Sequence, residues 1–215
     1  MMTKKSIINF YSLRIALIFL AVYFSNLCGA QNNLTAESVL DHTAKKLSPN
    51  TGTSIDFNIK ANGINGKGEL KMYQGKYFIS LPDIKVWYNG KEMYTYNCHS
   101  GETTLINPTQ EELYETNPLL YITGYKSKFT SAFSSEKKSG KYVIDLIPKG
   151  KHLDVKKITM EIKTTDFHPE KINIVLTNGS NVEFNITHLK QGPISSTEFD
   201  YPKNKYSSIQ IIDLR

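Results

Sequence analysis

The sequence predicts a mostly β protein: one large, strongly curved antiparallel sheet of about eleven short strands, with one long amphipathic helix and one small helix. Three observations predict it. Apolar residues repeat with a period of two through most of the chain, short turn signals join the segments so marked, and Tyr and Phe are plentiful at 13 and 10. Short links make consecutive strands antiparallel, because parallel neighbours need long crossovers.

The 215 residues suit one domain or, second, two, and bury an adequate core without staples. Met1–Arg14 carries Lys4, Lys5 and Arg14, and Ile15–Phe24 is an unbroken apolar run. A membrane-spanning helix needs about 20 apolar residues, so the run has the length of a signal-peptide core instead. Cys28 and Ala30 place small residues three and one before a cleavage point ahead of Gln31; a signal anchor is the alternative. The signal for a lipid-modified cysteine fails at Cys28, where Leu27 and Ser25 stand in place of a small and an aliphatic residue. Residues 1–30 are therefore expected to be a cleaved signal peptide and 31–215 a single exported domain. The leader holds three of the 26 basic residues and no acid, leaving 23 against 20 and a net charge of +3. That balance, without a basic stripe, excludes a large nucleic-acid binder.

Leu34–Leu47 reads as the long helix, with Thr35 as N-cap and Leu34 and Val39 as a hydrophobic staple. Ala36, Val39, Leu40, Ala44 and Leu47 share one face, and Pro49-Asn50-Thr51-Gly52 ends the helix. Ile55, Phe57, Ile59 and Ala61 then alternate with polar residues as a half-buried strand. After a turn at Asn62–Gly66, Gly68–Tyr73, Lys76–Leu81, Ile84–Tyr88, Lys91–Asn97 and Glu102–Asn107 continue a meander, with turns at Gln74-Gly75 and Asn89-Gly90. In the second turn both residues tolerate positive φ. Residues 108–135 break the rhythm: a short helix is expected at 118–123, with mobile loop around it, including Lys126–Ser135. Strands resume at Lys141–Pro148, Val155–Lys163, Lys171–Leu176 and Ser180–Leu189, and the tail ends on Ile209–Leu214. Ile172, Ile174 and Leu176 make one face of the third of these, and Val182, Phe184 and Ile186 one face of the fourth.

Catalytic patterns are missing from the sequence. His42, His99, His152, His168 and His188 make no metal-ligand pair four apart, and neither CxxC nor HExxH occurs. No GxSxG, P-loop or dinucleotide fingerprint is present. Cleavage after Ala30 leaves Cys98 alone, so no disulfide forms within the chain; beside His99 it reads as a half-buried strand cysteine rather than a nucleophile. No metal and no cofactor are expected, and binding is favoured over an exported hydrolase or a surface structural protein.

Four stretches then resemble one family. Gly68–Phe78 (GELKMYQGKYF) is similar to the G-x-L-x-(V/L)-x-R-P-(G/N)-x-F segment of the periplasmic outer-membrane lipoprotein carriers, the LolA-like proteins. Trp87–Asn97 (WYNGKEMYTYN) resembles their D-G-K-x-L-W-x-Y-N hairpin, and Asn117-Pro118-Leu119-Leu120 their T/N-P-x-x-L lid segment. Phe199-Asp200-Tyr201-Pro202 before Ile209–Asp213 resembles the closing F-x-x-P…V-I-D element. The resemblance implies an unclosed β-barrel whose concave apolar face lies under a helical lid. It also implies a non-enzymatic periplasmic chaperone, a monomer, that receives acylated lipoproteins from an inner-membrane lipoprotein-releasing transporter and hands them to an outer-membrane acceptor. A lipid-binding or sensor module on the same fold is the second reading. The family's Arg-Pro, whose Arg latches the lid, is replaced here by Gln74-Gly75. Residues expected to contact acyl chains are Phe57, Leu70, Met72, Phe78, Trp87, Leu119, Leu120 and Ile122; the same residues would equally serve an ordinary core.

Overall fold

A computed structural model describes residues 34–47, 51–61, 64–150 and 154–215. The leader through Ala30, the helix stop at Pro49-Asn50, the Asn62 end of the first turn and His152 lie outside the described residues. Helix α1 (Ala36–Leu47) is capped as its sequence requires: Thr35 Oγ1 accepts from Ser38 N at 3.1 Å and Ser38 Oγ accepts from Thr35 N at 3.2 Å. Its buried stripe is Ala36, Val39, Leu40, Thr43 and Leu47.

Two meanders follow. The first is β1 (Thr53–Ala61), β2 (Ile64–Tyr73), β3 (Lys76–Ser80), β4 (Ile84–Tyr88), β5 (Met93–Asn97) and β6 (Glu102–Ile106). Three short helices then intervene: α2 (Gln110–Thr116), α3 (Leu120–Thr123) and α4 (Tyr125–Lys128). The second meander is β7 (Phe129–Phe133), β8 (Lys141–Pro148), β9 (Val155–Lys163), β10 (Pro169–Leu176) and β11 (Asn181–Gln191). A 3₁₀ turn at Ser196–Phe199 and β12 (Ile211–Asp213) close the chain. All twelve strands form one sheet in the order β12-β6-β5-β4-β3-β2-β1-β11-β10-β9-β8-β7, which does not close: β12 and β7 are its edges. The ladder of β1 with β11, running from Thr53 opposite Gln191 to Ala61 opposite Val182, splices the two meanders.

The fold is the mostly β, unclosed curved sheet that the sequence and its resemblance imply; α2 and α4 stand where mobile loop is expected around the one small helix, and the strands and turns show four further local differences. The twelfth strand is β7, where a loop is expected; its Phe129, Ser131 and Phe133 pair across from Pro148, Leu146 and Ile144, so its apolar side is legible only once β8 is in place. Strand β2 begins at Ile64 rather than Gly68, because Gly66 and Gly68 lie within the strand instead of turning it. Strand β12 runs parallel to β6, which the long connection from Gly192 to Gln210 allows. At Asn89-Gly90 only Gly90 has positive φ; Asn89 shapes a wider loop by accepting from Lys91 N and Glu92 N through its side chain.

Two glycines are required by geometry. Gly75 has φ +77° after Gln74 at +49°, the two-residue turn that matches strand twist, and a proline could not adopt that φ. Gly68 sits opposite Phe57, where a Cβ would run into the Phe57 ring and Leu81. Gly68→Ala should therefore cost about 1–3 kcal/mol through overpacking, read from urea denaturation; an unchanged midpoint would contradict this packing.

The outer face of β8–β10 is polar and ion-paired. Glu161, 7% exposed at its side chain, holds Lys138 at 2.7 Å and Lys141 at 2.8 Å. Burial pushes its carboxyl up, but the two lysine hydrogen bonds outweigh this and hold it below the ordinary value. A depressed folded value means the contribution is full above the ordinary carboxylate range and is lost as pH falls through the folded value. In Lys141→Met the depression shrinks, so stability measured by denaturation should drop at pH 7 and fall less on acidification than in the parent.

Candidate functional site

The inner face of the sheet carries the main core, and the short helices lie on it. Ile55, Phe57, Leu70, Tyr77, Ile79 and Val86 point inward from the first meander, and Ile144, Ile158, Met160 and Ile172 from the second. Leu113, Leu119, Tyr121 and Ile122 of the helical segment pack into the same cluster. The segment is built locally. Thr109 and Glu112 form a capping box at the start of α2. Buried Asn117 ends α2, accepts from Leu119 N at 3.1 Å and turns its amide toward the Met72 sulfur. Asn117 is extended, as the residue before a proline prefers, and tight three-residue turns from Asn117 and Pro118 lead into the small helix, which begins at Leu120 rather than at residue 118.

Two polar latches hold this lid. Tyr77 Oη, buried on β3, shares a 2.5 Å hydrogen bond with Thr116 Oγ1 at the end of α2. Burial pushes the Tyr77 phenol far up, so it remains a neutral hydroxyl. At the far end Tyr125 Oη donates to Glu37 O and Asp41 Oδ1 of α1, both at 3.1 Å, and Lys126 Nζ lies 2.8 Å from Asp41 Oδ2. The Lys126 hydrogen bond, helped by Tyr125, holds the Asp41 carboxyl below its ordinary value against burial.

Where α2 meets β9–β11 the described residues cover the inner face only in part. A cleft of about 660 Å³ opens there, within the range of ~300–1,000 Å³ usual for small-molecule sites. Its sheet wall is Val155, Ile174, Leu176, Val182 and Phe184; its lid wall is Tyr114, Pro118 and Tyr121. Glu111, Glu115 and Asp154 stand at the polar part of the lining with Thr177 and Asn178. Deeper in, between Phe57, Leu70, Leu119 and Phe184, only a void of about 10 Å³ remains, at most the room of a single water by the ~10–15 Å³ criterion. Beside the lid, the described residues thus leave ligand room at the β10–β11 side and pack closely around Leu119; a separate, open groove of about 770 Å³ runs along Phe57, Gly68, Leu81 and Pro82.

Six of the eight residues singled out from the sequence meet on the inner side. Phe57 and Leu70 border the small void, Leu119 and Ile122 are buried beneath the lid, and Met72 and Leu120 are half-buried against the same core. Phe78 and Trp87 do not join them. The two-residue turn sets Leu70 opposite Ile79 and Lys71 opposite Phe78, and Phe78 faces Trp87 across the next ladder. Period two then sends Ile79 and Val86 inward and Phe78 and Trp87 outward. On the outer face they form a second cluster with Tyr94, Leu105 and Tyr201. Tyr201 stacks on Tyr94 at 4.7 Å and meets Trp87 edge-on at 5.3 Å. The C-terminal segment covers these rings, tied by Thr103 Oγ1 to Tyr201 Oη at 2.9 Å and Lys71 to Glu198 at 2.9 Å.

Sequence reasoning identifies the inner face of β10 and β11 but not that Val182, Phe184, Ile174 and Leu176 wall a cleft. Nor does it single out Tyr114 and Tyr121. The available signal is that only Glu115 and Thr116 separate Tyr114 from Asn117-Pro118, and Tyr121 follows three residues after Pro118, which ties those tyrosines to the lid segment. Cys98 differs from expectation: β5 stops at Asn97, whose side chain caps the next turn, and Cys98 is exposed there. His99 Nε2 lies 2.9 Å from Asp83 Oδ1, both exposed. Among the described residues, no group of three or more His, Cys, Asp and Glu is placed to hold a metal.

Residues 27–179 match the family described as outer membrane lipoprotein carrier protein LolA. No curated protein sequence matches the chain. Among solved structures, an uncharacterized conserved protein from Thermus thermophilus superposes with a TM-score of 0.56 at 10% identity, covering 83% of this chain and 98% of that one. A putative outer membrane lipoprotein-sorting protein domain from Vibrio parahaemolyticus gives 0.46 at 10% identity, over 80% and 97%. A LolA superfamily protein from Nitrosomonas europaea gives 0.42 at 9% identity, over 78% and 98%. With more than half of its length matched by the family and the unclosed, lidded sheet described above, the chain belongs to the LolA outer membrane lipoprotein carrier family.

Proposed function

We propose that the protein is a periplasmic chaperone that shelters the acyl chains of lipoproteins between its lid and the inner face of its sheet, carrying them from the inner to the outer membrane. Residues 1–30 serve as the export signal and 31–215 as the carrier domain, acting as a monomer between a lipoprotein-releasing transporter and an outer-membrane acceptor. The observation that carries this reading is the cleft: beside the buried Ile174, the side chains of Leu176, Val182 and Phe184 continue the core face yet stay only half-buried next to a lid of short helices.

The energetics suit a carrier rather than a sink. Each buried methylene contributes about 0.8 kcal/mol, so a fully sheltered sixteen-carbon chain gains on the order of 12 kcal/mol before costs. Release needs that gain to be offset. The packed interior supplies the offset: a chain going deeper than the cleft must displace Leu119 and Pro118 from Phe57 and Phe184, and the lid contacts are regained when the chain leaves. Phe57, Leu70, Met72, Leu119, Leu120 and Ile122 contact cargo in that opened state, while Val182 and Phe184 contact it first. The Tyr77–Thr116 bond takes the place of the family's arginine latch.

Native mass spectrometry of protein purified from its own periplasm without detergent tests the function. Co-purified lipoprotein is the expected result; free phospholipid alone would favour a lipid-binding or sensor module, and a protein that stays empty when offered acylated peptides would refute both. Val182→Asp places a carboxylate on the cleft wall at a half-exposed position, so acyl binding should fall at least tenfold while the circular dichroism spectrum is retained. Tyr77→Phe removes the latch, worth about 1 kcal/mol. Hydrogen exchange should then quicken in 110–117 and not in β8–β9; unchanged exchange in α2 would remove Tyr77 from this role.

A further inference from the structure

The chain is basic overall, with 26 Lys and Arg against 20 Asp and Glu, yet among the described residues every charged one lining the cleft is an acid: Glu111, Glu115 and Asp154. Glu111 and Glu115 lie one turn apart on α2, and Asp154 stands across the cleft at the start of β9. Glu111 is bridged by Lys128 at 3.2 Å. Glu115 and Asp154 are exposed, and neither forms an ion pair with another described residue. Thr177 and Asn178 complete the polar lining, and among the described residues no Lys or Arg lines it.

An apolar cleft whose mouth carries two carboxylates that pair with no described residue selects a tail with a cation at its head. From this charge complementarity we infer that the preferred occupant is a diacylated lipopeptide whose N-terminal amine is free, the ammonium lying between Glu115 and Asp154 and the acyl chains along Val182 and Phe184. This rests on the acyl-carrier reading above and adds the state of the head group. An N-acylated terminus has no charge to offer. A phospholipid brings a phosphate to the same mouth, where like charge repels it, so an aminophospholipid is the poorer fit despite its amine.

The test uses the purified chain and two synthetic lipopeptides with the same two acyl chains and the same uncharged peptide, one with a free N-terminal amine and one N-acetylated. Phosphatidylethanolamine and phosphatidylglycerol of the same chains serve as further probes. The free amine should bind about fivefold more tightly at low salt, as two exposed charge pairs allow, and the ratio should shrink toward one at high salt. In Glu115→Gln/Asp154→Asn the two lipopeptides should bind alike. Equal affinities in the parent protein, or a preference that survives in the double variant, would overturn the inference while leaving acyl binding intact. Tighter binding of phosphatidylethanolamine than of the free-amine lipopeptide would overturn the proposed occupant. Failure to bind any acylated probe would instead refute the carrier reading on which the inference rests.

Discussion

The ladder between β1 and β11 is the constraint on which the rest of the structure depends. Each meander alone follows from local signals, since its strands are joined by short turns. Neither has a complete inner face until β1 pairs with a strand more than a hundred residues further along the chain. That pairing sets Phe57 opposite Ile186 and Ile59 opposite Phe184, and so brings the apolar faces of both halves onto one concave surface. The register shifts between Asp56 and Phe57, and Thr187 Oγ1 donates to the Asp56 carbonyl there. The bulge adds local bend where the halves join. Because the pairing is non-local, its loop-closure cost is met only by the burial it makes possible.

A curved sheet that does not close exposes its inner face unless something else covers it. Here the cover is the segment between the two meanders, and its composition explains its character. Helices α2, α3 and α4 are each too short to be stable alone, so they persist only through what they pack against. Their anchors are the Thr109–Glu112 box, buried Asn117 and the two tyrosine latches. A cover assembled from single turns can detach in parts. It also covers the β10–β11 end only in part, where a larger element would have sealed it.

Much of this was legible in the sequence. Period two locates eleven of the twelve strands, and Thr35 marks the cap of α1 while steps of three and four from Ala36 through Leu47 mark its stripe. The misses have a common physical cause. Which side of a strand faces inward is fixed by register, and register is set by turns whose geometry the sequence only hints at. Phe78 and Trp87 looked like part of an apolar inner wall, but the Gln74-Gly75 turn paired Phe78 with Lys71 and so turned both rings outward. Strand β7 escaped because its pattern, Phe-Thr-Ser-Ala-Phe, gains meaning only beside Leu146 and Ile144. The cleft escaped for a different reason: it reflects the reach of the lid, which no single residue records.

The outward placement of Trp87 has a spectroscopic consequence. It is the sole tryptophan of the chain and is 5% exposed, enclosed by Phe78, Tyr94, Tyr201 and Tyr206 on the side of the sheet opposite the cleft. Its emission therefore reports whether the C-terminal segment is seated over the outer face, and it is shielded by the full thickness of the sheet from any occupant of the cleft. Quenching or a red shift would register release of that segment, a separate event from the arrival of a lipid. Any occupant of the cleft is followed better through the absorbance and exchange behaviour of Tyr114 and Tyr121, which line it, so one molecule carries independent optical handles on its two faces.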